Sequence, residues 1–232
     1  MTGRPGTFTL RGRTWDLLPG VPAPPHSRST DVAMRMLGFG DPLTAPRSGS
    51  FLEIGSGTGV IAVSAALAGC DRVVGTDTSP RAVRNTALNA ARHGVAGLVR
   101  AVEGDFFSGL GADERFSTVY WHSVSVPGPA GYRQAHGHTA DPGYAAHRRY
   151  LTEAPRWTAP GGVALLHFSD RGDVPGLWNL AESCGRDLRV LRSRRVRDGV
   201  GMVEHLLFEI TVAAAPVPRR DAAPRTAALP RP

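Results

Sequence analysis

Residues 51–60 read Phe-Leu-Glu-Ile-Gly-Ser-Gly-Thr-Gly-Val, and residues 73–77 read Val-Val-Gly-Thr-Asp. This order predicts a strand, a glycine turn, a helix and a second strand that ends in an acid. A ligand at the carboxyl end of a parallel sheet needs close approach of the backbone, which glycines without a Cβ atom permit at Gly55, Gly57 and Gly59. A carboxylate at Asp77 can accept hydrogen bonds from both hydroxyl groups of a ribose. The stretch therefore predicts a nucleotide-cofactor pocket.

The spacing within this turn separates two kinds of cofactor. A dinucleotide fingerprint would place its third glycine at Val60, whereas this chain reads Glu53-x-Gly-x-Gly-x-Gly. A cofactor with a pyrophosphate is therefore disfavoured. The acid-led spacing resembles the first motif of the class I methyltransferases, which use S-adenosylmethionine (AdoMet). The resemblance implies AdoMet as the cofactor, with Glu53 towards its methionine end and Asp77 at its ribose.

A third run, Val102-Glu-Gly-Asp-Phe106, is similar to the adenine-side motif of the same family. There an acid faces the exocyclic amine of the adenine and an apolar neighbour packs on its ring. Three motifs in the right order are far more specific than one glycine-rich turn. The residues expected to bind the cofactor are Glu53, Gly55, Ser56, Gly57, Gly59, Asp77, Thr78, Asp105 and Phe106.

The chain has 232 residues, of which 41% are hydrophobic, and this is enough for one α/β catalytic domain. Strands alternate with helices from residue 50 onwards, so we expect a doubly wound, seven-stranded, Rossmann-like methyltransferase sheet. Residues 187–196 and 202–212 lack a helix between them and should form an antiparallel C-terminal hairpin. The expected divisions are an N-terminal hairpin and lid helix at 1–40, an AdoMet-binding catalytic domain at 41–212, and a disordered tail at 213–232.

Composition and charge limit the kinds of partner that the protein is expected to bind. The net charge is +7, and all 27 basic residues are arginine. A cluster between Arg186 and Arg197 can contact nucleic acid, although without interleaved aromatic residues a solvated surface is favoured. No apolar run approaches the ~18 residues of a membrane span, and a secretory signal is lacking, so we expect a cytoplasmic protein with no membrane partner. Cys70 and Cys184 are interpreted as buried thiols, and neither a metal nor an oligomeric state is assigned.

The acceptor wall is expected where the strand at 116–122 ends, before Ser123-Val-Ser. The layout resembles the branch of the release-factor glutamine methyltransferases and the N6-adenine methyltransferases. That branch carries Asn-Pro-Pro-Tyr here, whereas this chain has His122, which cannot reproduce the paired donor and acceptor of asparagine. A histidine with a pKa near 6.5 can act as a base, and the alternative is a local hydrogen bond at the strand end. Trp121 is a candidate wall for a planar substrate.

The following loop holds further candidates. Tyr132 and His136 are the next candidates for a catalytic base, and Arg133 can clamp a substrate carboxylate, unless it is an ordinary exposed arginine. His136 and His138 are only a weak metal signal. We expect a small-molecule methyltransferase, with secondary metabolism as one setting. The alternatives are a methyltransferase acting on a protein side chain or an RNA base, and a non-catalytic AdoMet-binding protein.

Overall fold

The computed structural model describes residues 6–22, 24, 28–39, 48–123, 141–199 and 201–213. The hairpin of β1 and β2 comes first, and a helix, α1, follows it. Strands and helices then alternate as the sequence predicts. In chain order the elements are β1 (Gly6–Leu10), β2 (Arg13–Leu17), α1 (Ser29–Leu37), β3 (Ser50–Ile54), α2 (Val60–Leu67), β4 (Arg72–Asp77), α3 (Pro80–Arg92), β5 (Val99–Glu103), β6 (Phe116–His122), α4 (Ala145–Glu153), β7 (Thr158–Ser169), α5 (Val174–Ser183), β8 (Arg186–Asp198) and β9 (Gly201–Val212).

Seven strands form the main sheet in the order β5-β4-β3-β6-β7-β9-β8. Neighbours from β5 to β7 are parallel, and β9 runs antiparallel to both β7 and β8. The strand order reverses between β3 and β6, which is the point where ligands bind in open α/β sheets. The predicted doubly wound sheet with its antiparallel C-terminal hairpin is confirmed.

Alternating side chains build a core on each face of this sheet. In β3, Phe51 packs with α1 and α2 on one face, and Leu52 joins the core beneath α4 and α5 on the other. Tyr120 and Trp121 of β6 divide in the same way, as the two-residue period of a strand requires. Tyr120 is completely buried, whereas Trp121 keeps 7% of its surface exposed. The carboxyl ends of the strands therefore rest on two well-packed layers.

The sequence predicts a single helix over 142–159, and the structure corrects it. The helical segment opens with a 3-10 turn, Pro142–Tyr144, and the α-helix α4 ends at Glu153. A second 3-10 turn, Ala154–Trp157, leads directly into β7. Pro155 explains the ending, because proline lacks the N–H group that an α-helix needs and its ring collides with the carbonyl one turn earlier.

The N-terminal hairpin is fixed to the main domain through α3. The backbone N–H of Asp16 donates to Asn89 Oδ1 at 2.7 Å, and Leu18 donates to Asn85 Oδ1 at 2.8 Å. Arg92 also forms an ion pair with Asp16, with Nη2 and Oδ1 2.6 Å apart. Asn85 and Asn89 are fully buried, so these bonds hold the segment that leads into residues 20–24.

Three smaller expectations concern the rest of the chain. Within the ranges given above, no helix is long and apolar enough to cross a membrane. Cys70 is buried as expected, but Cys184 is only half-buried at the end of α5. Of the predicted disordered tail, only Ala213 lies within the described residues. The cytoplasmic location stays a prediction.

Gly59 provides a test of how α2 and α3 pack. Its φ is +77°, and a Cβ atom there would lie 2.7 Å from the Cα atom of Thr86. Gly59→Ala should therefore lower the free energy of unfolding by about 3 kcal/mol, from backbone strain plus the forced separation of the two helices. The measurement is urea denaturation.

Gly57→Ala is the matched control in the same turn. Its φ is +55°, but nothing lies within 4 Å of the added Cβ atom. In this variant the free energy of unfolding should fall by only about 1 kcal/mol, because only the backbone is strained. Equal losses in the two variants would contradict the role of helix packing at Gly59.

Candidate functional site

A cavity of about 360 Å³ lies at the carboxyl ends of β3, β4 and β6. This volume is within the range of small-molecule sites, roughly 300–1,000 Å³. Residues from the N-terminal segment cover one side of it. Its wall includes Gly20, Val21, Pro22, Pro24, Ser29, Thr30, Glu53, Gly55, Ser56, Gly57, Asp77, Thr78, Asp105, Phe106, Trp121, His122, Asp141 and Ala146.

Asp77 holds the glycine turn from the neighbouring strand. Its Oδ2 accepts a hydrogen bond from Gly57 N at 2.9 Å, and its Oδ1 accepts one from Ser79 N at 2.9 Å. Each carboxylate oxygen has two lone pairs, so each can still accept one more hydrogen bond from a ligand. Gly55 and Gly57 have open space where a Cβ atom would stand, apart from Trp121 Nε1 at 4.0 Å from the former. The turn thus leaves room for a ligand beside its backbone.

Glu53 anchors the start of α2, which follows the glycine turn. This side chain is only 3% exposed, and its Oε2 accepts a hydrogen bond from Ala62 N at 2.8 Å in the first turn of α2. Burial raises the pKa of Glu53 well above its usual range, the Ala62 bond opposes this, and the nearby Asp77 raises it further. Glu53 therefore fixes the start of the helix at the floor of the cavity.

Two residues of the turn contact Thr86 of α3. Gly59 is absent from the lining of the cavity and packs directly against Thr86. Ser56 borders the cavity, but its hydroxyl group is 3.0 Å from Thr86 Oγ1 in the protein interior. The glycine pattern thus serves two purposes, with open backbone at Gly55 and Gly57 and close helix packing at Gly59.

The adenine-side run also lines the cavity. Phe106 adopts a φ of +56°, a conformation uncommon for residues other than glycine, and its ring meets Trp121 edge-on at 5.1 Å. Asp105 is 62% exposed and pairs with Arg149, whose Nη1 lies 2.6 Å from Asp105 Oδ2. The same guanidinium stacks over the Phe106 ring at 5.0 Å. Arg149 of α4 thereby holds both residues at the rim.

His122 ends β6 on the cavity wall and stacks on a second histidine. Its ring lies 4.3 Å from that of His167 with 21° between the planes, because the two residues are register partners in β6 and β7. His167 Nε2 lies 3.0 Å from His205 Nδ1 of β9, and His167 Nδ1 lies 3.3 Å from the Tyr120 hydroxyl. Three strands thus contribute one row of histidines.

These rings resist protonation. Burial lowers the pKa of His122 to about 4, and the neighbouring His205 adds to the effect. Burial likewise lowers the pKa of His167 well below its usual range and, more modestly, that of His205. A histidine with so low a pKa is neutral at physiological pH and is a weak base. The ordinary pKa assumed for His122 from the sequence is therefore wrong, because the strand end is desolvated.

Asp141 reaches the cavity from the segment before α4. It is 2% exposed, and its Oδ2 lies 2.7 Å from His147 Nδ1. The backbone N–H groups of Ala146 and His147 donate to Oδ1 and Oδ2, each at 3.0 Å. Burial opposes the ionisation of Asp141, but the His147 side chain and the two backbone bonds outweigh it and lower its pKa. An ionised carboxylate therefore stands in the wall.

The structure thus gathers the expected residues only in part. Tyr132, Arg133 and His136 lie outside the described residues. Sequence reasoning missed Asp141 as part of the wall and the histidines behind His122. The position of His167 near the end of a predicted strand could have indicated that it lies beside His122. Nothing in the sequence indicates that His205 contacts His167.

Comparison with known proteins gives a consistent family. The model of the ribosomal protein L11 methyltransferase family (PrmA) matches residues 30–113. The ribosomal protein L11 methyltransferase of Pelotomaculum thermopropionicum is 49% identical over 57 residues, which cover 25% of this chain and 18% of that protein. The release factor glutamine methyltransferase of Bordetella pertussis is 30% identical over 218 residues, covering 84% of this chain and 73% of that enzyme.

Solved structures agree on the fold. The ribosomal protein L11 methylase of Lactobacillus delbrueckii subsp. bulgaricus superposes with a TM-score of 0.56 at 14% identity, covering 81% of this chain and 79% of that one. A methyltransferase structure complexed with SAH gives a TM-score of 0.65 at 10% identity, covering 88% and 56% of the two chains. With this fold and the extended match to the Bordetella enzyme, the chain belongs to the class I AdoMet-dependent methyltransferases, in the release factor glutamine methyltransferase branch, and AdoMet is its cofactor.

Proposed function

We propose that this chain transfers the methyl group of AdoMet to a nitrogen atom of a protein side chain. The observation that carries the proposal is His122, a neutral histidine on the wall of the cavity that also contains the glycine turn. A neutral imidazole keeps one nitrogen lone pair that can accept a hydrogen bond from an N–H group. The Bordetella relative is named for methylating a release factor glutamine, and other relatives for ribosomal protein L11.

His122 would then orient the acceptor rather than deprotonate it. AdoMet supplies the methyl group on a sulfonium, and the protein must hold the acceptor nitrogen in line with it. A base with a pKa near 4 removes protons poorly at neutral pH. The N–C bond would form as the S–C bond of AdoMet breaks, and the nitrogen would then release its excess proton to water. The backbone of Ser123, just after His122, donates to His167 O at 3.1 Å, and its hydroxyl donates to the same oxygen at 2.8 Å. These bonds fix the end of the strand that carries His122.

The proposed cofactor contacts follow the cavity from floor to rim. Asp77 would bind the ribose through its two spare lone pairs, and Phe106 would pack on the adenine. Asp105 would face the exocyclic amine with its second oxygen, since Arg149 holds the first. Residues 1–40 would act as the lid of the catalytic domain, 41–212. The contacts of Gly20, Pro24 and Thr30 with the cavity support this division.

A basic strand at the edge of the main sheet supports a macromolecular acceptor. β7 ends at Ser169, but the β8–β9 hairpin continues for four more residue pairs, from Arg195–Glu204 to Asp198–Gly201. Arg189 and Arg195 of this edge strand form ion pairs with Glu209 and Glu204, as a solvated surface would. Arg194 and Arg197 have no carboxylate partner among the described residues, so their charges are open to an acidic segment of a substrate protein.

The small-molecule acceptor expected from the sequence remains a second candidate. The replacement of asparagine by His122 favours it, because a changed acceptor group indicates a changed substrate. The N-terminal segment that covers one side of the cavity also suits a small ligand. Secondary metabolism and an RNA base have no separate observation in their favour.

Asp77 offers the test of cofactor binding. Asp77→Ala should raise the dissociation constant for AdoMet at least about 50-fold, because both the ribose contact and the anchoring of Gly57 are lost. Isothermal titration calorimetry measures it. Asp71→Ala is the matched control, since Asp71 stands exposed at the other end of the same strand. Unchanged affinity in the Asp77 variant would refute the ribose contact.

The protonation of His122 can be measured directly. Its imidazole resonances should titrate with a pKa of about 4, not 6.5. Unfolded histidine binds a proton near pH 6.5, so the unfolded state holds more protons between these values, and the free energy of unfolding should fall as the pH drops from about 7 to 4. His122→Gln should reduce this slope, by at most about 1.4 kcal/mol per pH unit. A His122 that titrates near 6.5 would restore the general-base role.

Labelled methyl transfer decides the acceptor class. The protein is incubated with methyl-labelled AdoMet and a bacterial extract, which is then separated into protein, RNA and small-molecule fractions. We expect label in protein, on nitrogen after hydrolysis, and none with Asp77→Ala. Label only among small molecules would favour the second candidate, and label that ribonuclease removes would point to RNA.

A further inference from the structure

A buried carboxylate in the cavity wall has no role in the proposed function as stated so far. Asp141 carries a negative charge, yet among the described residues no arginine contacts it. Its nearest partner, His147, has its pKa lowered by burial, which the Asp141 carboxylate only partly opposes. Among the described residues, hydrogen bonds alone hold this charge, and a carboxylate on the wall of a ligand cavity is a candidate for contact with the ligand.

The hydrogen-bond count leaves room for that partner. An ionised carboxylate offers about four lone-pair sites. Asp141 Oδ2 accepts from both the backbone and the ring of His147, and within the described part of the chain Oδ1 accepts only from Ala146 N. The described residues therefore leave one site on Oδ1 open, on a residue that lines the cavity together with Trp121 and His122.

His147 fixes the carboxylate in place. Its Nδ1 is 2.7 Å from Asp141, whereas its Nε2 is buried and has no partner among the described residues. The ring is surrounded by Trp121, Tyr144 and Phe168 at centroid distances of 4.7, 5.0 and 5.4 Å. The proton therefore belongs on Nδ1, where it is donated to Asp141, because an ionised carboxylate can only accept a hydrogen bond. The carboxylate is thus held rigidly.

We propose that Asp141 is an acceptor-binding residue whose carboxylate binds the N–H group of an amine or amide placed at the methyl-transfer end of the cavity. His147 acts as its positioning residue. This inference rests on the proposed function, because it places the acceptor nitrogen between His122 and Asp141. Two hydrogen-bond acceptors on one wall select a group with N–H donors, such as a side-chain amide or an amine, over a hydroxyl group with a single proton.

The test uses ligand binding and needs no identified substrate. S-adenosylhomocysteine is the neutral product of the cofactor, and sinefungin is an analogue that carries an amine where AdoMet carries its methyl group. Calorimetry on the full chain measures both affinities. Asp141→Asn keeps the size of the side chain and removes its charge. We expect the affinity for sinefungin, relative to S-adenosylhomocysteine, to fall about tenfold.

The control separates ligand binding from helix capping. Asp173 caps α5 by accepting from Gly176 N at 2.9 Å and does not line the cavity. Asp173→Asn should leave the affinity ratio unchanged within about twofold. If Asp141→Asn does not fold, Asp141→Ser replaces it in the measurement, because serine keeps a helix-capping oxygen without the charge. It should show the same tenfold fall.

Two results would overturn the inference. The first is an unchanged ratio in an Asp141 variant that still binds S-adenosylhomocysteine. The second is loss of S-adenosylhomocysteine binding in both Asp141 variants. This result would mean that the carboxylate only caps α4 and does not bind the acceptor. A wild-type chain that binds neither ligand would overturn the proposed function as well, so the two failures are distinguishable.

Discussion

Two carboxylates hold the glycine turn and the start of α2 in place, and the rest of the site depends on these bonds. Asp77 accepts the N–H of Gly57 from the neighbouring strand, and Glu53 accepts that of Ala62 from beneath. Both bonds satisfy backbone groups that the turn and the start of α2 would otherwise leave unpaired. Because the backbone is held by its neighbours, its open face at Gly55 stays available to the cofactor. Contacts within the protein therefore shape the binding surface.

Burial lowers the pKa values of the histidines at and behind His122. His122 stacks on His167, and His167 contacts His205, so the three imidazoles form a row in which burial disfavours the charged forms. Protonating any of them would set a cation beside its neighbours, so all three remain neutral at physiological pH. In the proposed function, His122 would offer the substrate a hydrogen-bond acceptor instead of a strong base.

Much of the fold was accessible from local pattern. The strand and helix periods, the acid-led glycine turn and the short link between β8 and β9 predicted the sheet, because each depends on residues close together in sequence. The prediction of one helix over 142–159 failed because Pro155 stops the α-helix early. Other contacts lay beyond any local pattern. Arg149, distant in sequence, pairs with one oxygen of Asp105, and Gly59 packs against Thr86 of α3.

By itself the sequence determined the family of the turn, the order of the elements and the position of His122 at a strand end, since these follow from spacing along the chain. Only the tertiary structure decided which distant groups meet. It brought His205 to within reach of His167, placed the charged Asp141 in the wall, and lowered the pKa of His122. The physical reason is that burial and electrostatic environment depend on packing between segments far apart in sequence, which no local pattern records.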